Sequence, residues 1–213
     1  MRILQNSILL VLLSSFTVFA QENDFQTWHS FSVNKKIVKK LNVRLKSGLR
    51  LKENSSLYSK QFYDFKIQVK YNKRLSFSSG YRFANSWDKR LQISNIHRFY
   101  LDLTYKNKII KRLSYAVRNR WQNQGDVYGY NITLRQKFLL SYNIRKTKLR
   151  PHISTEYFLI LDDGINKLRS TIGMSYPVTK KIDIDLAYRI QQEFYVINPE
   201  TLFIFEGKLS YDL

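Results

Sequence analysis

The sequence predicts an all-β protein: a transmembrane, antiparallel, up-and-down β-barrel of about ten strands, with twelve as the alternative count. Three observations predict it. Apolar and polar residues alternate with a period of two through almost the whole chain after residue 40. Tyrosine and tryptophan recur on the apolar side of that alternation, near segment ends. Residues 1–20 have the layout of an export signal.

Taken in chain order, "MRILQNSILLVLLSSFTVFAQ" sets Arg2 before an apolar core from Ile8 to Leu13 that continues to Phe16 and Phe19. Ala20 then stands before Gln21, with Val18 two residues earlier. This is a cleavable signal peptide, and its core is too short and too interrupted by serine for a spanning helix. Residues 21–40 follow as a lead-in or a strand at the barrel seam. Within them "FQTWHSFSVNKK" (25–36) alternates weakly and, counted as a strand, would raise the number to eleven. Residues 41–213 are assigned to the barrel.

In "LNVRLKSGLRLK" (41–52), Leu41, Val43, Leu45, Leu49 and Leu51 interleave with Asn42, Arg44, Lys46, Arg50 and Lys52. The pattern returns in 62–72, where Tyr63, Phe65, Ile67 and Val69 alternate with Asp64, Lys66, Gln68 and Lys70. It recurs in 75–84, 99–105 and 113–122, where Trp121 closes a run that sets Tyr115 and Val117 against Arg118 and Arg120. The second half adds 130–143, 149–159, 168–176, 182–191 and the ending from Phe203 to Leu213. One such segment could be a helix, because Leu41, Leu45 and Leu49 also share a helical face. A whole series rich in Tyr, Phe, Ile and Val is a set of strands. Each has about the ten residues that a tilted strand needs to cross an outer-membrane hydrocarbon layer. The connectors read alternately as short (72–74, 143–148, 177–181, with 106–112 between) and longer (53–61, 85–90, 123–129, 162–167, 192–200). That predicts short periplasmic turns and longer extracellular loops. "LDDGIN" (161–166) reads as a turn.

The aromatic residues decide which face meets lipid. Tyr63, Tyr71, Tyr81, Tyr105, Tyr115, Trp121, Tyr142, Tyr157, Tyr176, Tyr188 and Tyr211 all share the apolar parity. A soluble lipocalin-like barrel or sandwich, the alternative, would have to bury those hydroxyls with partners. Tyr and Trp bordering an apolar band instead form the girdles of a membrane barrel. Leu and Val then face lipid, and Arg and Lys face the lumen.

Composition narrows function further. The chain of 213 residues carries 36 Lys and Arg against 16 Asp and Glu, a formal charge of +20, and no cysteine. Disulfides and thiolate metal sites are excluded. A basic, aromatic-rich chain fits nucleic-acid binding in general, but an exported one does not meet nucleic acid. His29 and His97 lack carboxylate partners at ligand spacing, so no metal and no cofactor is expected.

"TWHSFSVNKKI", "GYRF" (80–83), "YAVRNRWQ" (115–122), "RPHISTEYF" (150–158), "LAYRIQQEF" (186–194) and "FEGKLSYDL" together resemble a family of Gram-negative outer-membrane proteins, domain of unknown function 2490 (DUF2490). The resemblance covers nearly all of the mature chain. It implies an outer-membrane β-barrel and carries no established activity. The chain ends in Leu213, where many barrels end in Phe, although Tyr211 and the terminal alternation fit.

On the lumen parity stand Arg44, Lys46, Arg50, Lys52, Lys66, Lys70, Arg82, Arg98, Arg118, Arg120, Arg135, Lys137, Arg150, Arg169, Arg189 and Lys208. Against them are Asp64, Asp102, Glu156, Asp183, Asp185, Glu193 and Glu206. Such an interior favours anions. Arg44, Lys46, Arg50, Lys52, Arg82, Arg118, Arg120, Arg135 and Arg189 are the candidate anion-binding residues, and the expected lumen is basic, filled with polar side chains and non-enzymatic. A narrow anion-selective channel is the alternative. A lipid hydrolase is a second alternative, with His152 as base and Ser154 as nucleophile at i, i+2 and Glu156 beyond. Expected partners are outer-membrane lipid, lipopolysaccharide among it, and an anionic ligand in the lumen; the expected state is a monomer in the cell outer membrane.

Overall fold

The computed structural model describes residues 22–88, 90–161, 164–196 and 198–213. The expected signal peptide lies outside the described residues. So do Asp162 and Asp163 of the expected turn, while Gly164 beside them takes a φ of +78° that suits glycine.

Eleven strands are present among the described residues: β1 (Glu22–Val38), β2 (Leu41–Lys52), β3 (Leu57–Lys70), β4 (Leu75–Trp87), β5 (Ile93–Lys108), β6 (Leu113–Asp126), β7 (Gly129–Tyr142), β8 (Arg150–Ile160), β9 (Gly164–Pro177), β10 (Ile182–Glu193) and β11 (Glu200–Asp212). Each pairs with its sequence neighbour, and β1 pairs with β11 to close the barrel. The all-β barrel is as expected. The count falls between the expected ten and the alternative twelve, because β1 contains the weakly alternating stretch 25–36. Its inward residues Gln26, Trp28 and Ser32 are buried, whereas Phe25 and Phe31 are exposed outward. Thr27 and His29 dilute that outward apolar set, which is why the strand reads weakly.

An odd number of strands in up-and-down order makes the first and last run the same way. The closing pair is therefore parallel, from Glu22↔Glu200 to Asn34↔Asp212, while the other pairings are antiparallel. This corrects the expectation of a wholly antiparallel sheet. A second correction concerns the connectors. Several stretches read as longer loops continue the ladders instead: Lys60 pairs with Ser86, and Gln124 with Asn131. Backbone groups that find partners across the hairpin stay in the sheet. What remains at that end is 53–56, 88–92, 127–128, 161–163 and 194–199, against 39–40, 71–74, 109–112, 143–149 and 178–181 at the other. The length asymmetry has largely gone.

The alternation resolves as a lipid-type barrel. Leu45, Phe65, Leu101, Phe138, Ile172 and Leu186 are exposed outward, while Asp64, Asp102, Arg120, Glu156 and Glu206 are buried inside. A soluble barrel would have these sets reversed. No helix among the described residues is long and apolar enough to cross a membrane, which says nothing of a β-barrel.

Close packing of the lumen depends on glycines where an inward ring lies across a neighbouring strand, Gly48 against Phe62 and Gly80 against Tyr100. A Cβ on Gly80 would stand 2.3 Å from the Tyr100 ring and 2.8 Å from the Phe65 carbonyl oxygen. That space lets Tyr100 lie across β4 and donate its hydroxyl to Asp64, at 2.9 Å. Gly80→Ala is expected to destabilise the barrel by about 1–3 kcal/mol through overpacking. Urea titration read by the gel mobility of unboiled protein measures this, and an unchanged midpoint would place Tyr100 elsewhere.

Candidate functional site: the cationic lumen

Period-two geometry sends every second residue of each strand inward, so β2 alone contributes Arg44, Lys46, Arg50 and Lys52. The carboxylates that meet such cations come from other strands. Asp64 of β3 accepts from Arg82 Nε at 3.0 Å and lies 3.6 Å from Arg44. Asp102 of β5 takes both Nε and Nη2 of Arg120, at 2.6 and 2.8 Å, and Lys66 at 3.0 Å. Glu156 of β8 accepts from Arg118 at 2.6 Å and from Arg135 at 2.7 Å, with Arg169 3.5 Å away. Glu206 of β11 pairs with Arg189 and with Lys208. These pairs form a belt around the inner wall, and the one between Arg120 and Asp102 is a two-bond fork.

A second layer is aromatic. The Arg50 guanidinium lies 3.7 Å from the ring centre of Trp28, and Arg82 lies 4.1 Å from that of Phe62. Arg120 sits 3.8 Å from Tyr100 and Arg135 4.3 Å from Phe158. Arg169 stands between Trp28 and Phe158, at 5.2 and 4.9 Å. Cation–π contact in a partly dry interior holds a guanidinium in place without cancelling its charge. Beside the closing seam, Trp28, Leu202 and Ile204 form a small buried apolar cluster on the same wall.

The lumen is not filled by these side chains. A cavity of about 640 Å³ remains, lined by fourteen Lys and Arg residues and by Glu156, Glu193 and Glu206. Arg44, Lys46, Arg50, Arg82, Arg118, Arg120, Arg135 and Arg189 all border it; Lys52 instead donates to the Trp87 carbonyl at 2.8 Å. The Nε groups of Arg44, Arg50, Arg118 and Arg189 are buried with no acceptor among the described protein atoms. These are donors left over after the carboxylates are used.

Sequence reading missed Lys60 and Lys167, which also line the cavity, because both stood in stretches taken as loops. It also passed over the inward aromatics. Phe62 and Phe158 share parity with Asp64 and Glu156, so counting by twos from those acids would have found them. The His152, Ser154 and Glu156 of the hydrolase alternative are not brought into a working arrangement. Glu156 is taken up by arginines, and His152 lies 3.6 Å from Asp185, which also accepts from Ser175 at 2.6 Å.

A family model described as "Protein of unknown function (DUF2490)" matches residues 25–200. Among solved structures, the chain is similar to the NanC porin at 12% identity and a TM-score of 0.50, over 78% of this chain and 86% of that one. It is similar to the KdgM porin at 13% identity and a TM-score of 0.50, over 79% and 91%. At such identities the likeness is one of fold. No curated protein matches the sequence.

Proposed function

The chain belongs to the DUF2490 family, and on that footing we propose that it is a non-enzymatic outer-membrane barrel acting as a narrow anion-selective pore. The cavity carries the reading: fourteen cations face three carboxylates across about 640 Å³, inside a wall whose outer face is apolar. Unpaired buried charge costs several kcal/mol per group, so this surface holds water and counter-anions. Rings of Arg and Lys attract anions and repel cations from a pore. The porin folds that the barrel resembles support an outer-membrane location and a conducting role. The arginine–aromatic layer supports a narrow passage.

The test is conductance of the refolded protein in a planar bilayer under a potassium chloride gradient. Small conductance with a reversal potential on the chloride side is expected, and cation selectivity would overturn the electrostatic reading. The ion-pair belt favours one second reading, a closed lumen that binds anions without passing them. Electrical silence combined with salt-weakened sulfate binding would select it.

A further inference from the structure

The two rims of the barrel are chemically opposite. At one end the connectors 39–40, 71–74, 109–112 and 178–181 hold two Lys or Arg residues each, and 143–149 holds three, with no Asp or Glu in any. That makes eleven cations in five turns. The connectors at the opposite end hold Lys89 and Arg90 against Glu53, Asp88, Asp162 and Asp163. No ion pair among the described residues reaches the eleven, and all but the half-buried Arg112 are exposed.

Just inward of that basic rim, the outer wall carries a ring of tyrosines. Tyr105, Tyr115, Tyr142, Tyr176 and Tyr211 share the outward parity near the turn ends of their strands, and Tyr71 continues the outward parity of β3 as the first residue of its turn. The rings of Tyr105 and Tyr115 stand 6.1 Å apart, and Lys181 lies 5.9 Å from the Tyr211 ring. The turns themselves expose Ile109, Ile110 and Val178 beside their cations. Outward from the mid-wall the order is therefore aliphatic, tyrosine, then unpaired cation. A leaflet presents its layers in the matching order of acyl chain, glycerol interface and phosphate.

We propose that the turn rim is a docking surface for the anionic glycerophospholipids of the leaflet it faces, the Lys and Arg residues taking the headgroup phosphodiesters. This rests on the barrel lying in a bilayer and not on what the lumen conducts.

The experiment places the full barrel in phosphatidylcholine vesicles with spin-labelled lipids and reads, by electron paramagnetic resonance, the relative association of each lipid with the protein boundary. Phosphatidylglycerol is expected to exceed phosphatidylcholine by roughly three- to tenfold at low salt and to lose that lead as salt rises. The combined variant Lys111→Gln, Arg112→Gln, Lys180→Gln and Lys181→Gln should at least halve the preference. Lys89→Gln with Arg90→Gln, on the opposite rim, should leave it unchanged. Equal association of the two lipids overturns the proposal, as does a preference that survives the turn substitutions. A larger turn-dependent preference for lipid A phosphates would overturn the choice of lipid. Should the four-site variant fail to fold, the salt dependence of the unaltered protein still decides. An electrically silent barrel leaves the proposal standing, whereas one that refuses to enter vesicles sinks it together with the pore.

Discussion

Leu101→Arg is expected to abolish most folding into bilayers. Leu101 sits near the middle of β5 and is 54% exposed on the outer face, between Ser79 and Trp121 on the neighbouring strands. An arginine there would place a charge against hydrocarbon, at a cost of about 2–4 kcal/mol near the midplane. That is roughly 30- to 1,000-fold in the folding equilibrium. Thr104→Arg, three residues on, is the control. Thr104 is half-buried on the lumen side opposite Arg118, so a new cation there meets water and a repelling neighbour rather than lipid. The expected loss is under about 1 kcal/mol. Folding in vesicles, read by gel mobility before boiling, gives both values. Equal losses would mean that the wall has been assigned inside out.

Much of this was legible because a membrane barrel writes its wall with a period of two. Leu45 and Arg44, or Leu101 and Asp102, declare opposite faces by adjacency alone, so strand identity and facing followed without coordinates. β1 was harder. A strand whose outward set includes Thr27 and His29 and whose inward set includes Trp28 blurs both faces at once. Strand ends were hidden for another reason. Whether Lys60 or Lys167 lies in a loop or a ladder depends on the length of the partner strand, which no local pattern encodes. The site was legible as a charge imbalance and illegible as a geometry. Parity put Arg118, Arg135 and Glu156 on one wall, yet their meeting depends on three strands closing around the lumen with a particular stagger. The stacking of Arg50 on Trp28 needed the register of β1 against β2, which sets the two residues opposite each other once residues 25–36 are recognised as a strand.

That meeting point yields the other large effect. Glu156→Gln keeps the shape of the side chain and removes its charge. In the intact barrel the nearly fully buried Glu156 carboxylate serves Arg118, Arg135 and Arg169 together. A neutral amide offers one oxygen where three guanidinium groups need acceptors, and it turns an NH₂ donor toward other donors. Breaking a buried ion cluster by removing one partner costs about 3–5 kcal/mol, mostly from the charges left behind. The variant should therefore unfold at distinctly lower urea. Two further measurements separate this electrostatic loss from a packing defect. Sulfate or phosphate should restore stability in proportion to its occupancy of the emptied acceptor position, rising as the logarithm of concentration. Adding Arg135→Met, which keeps an apolar contact on Phe158 while deleting one stranded charge, should recover part of the loss rather than deepen it. The single variant should also make any conductance more anion-selective, because the cavity then opposes fourteen cations with two carboxylates. A loss below about 0.5 kcal/mol, the size of an ordinary surface change, would show that water already neutralises these arginines and that the belt contributes nothing to holding the barrel closed.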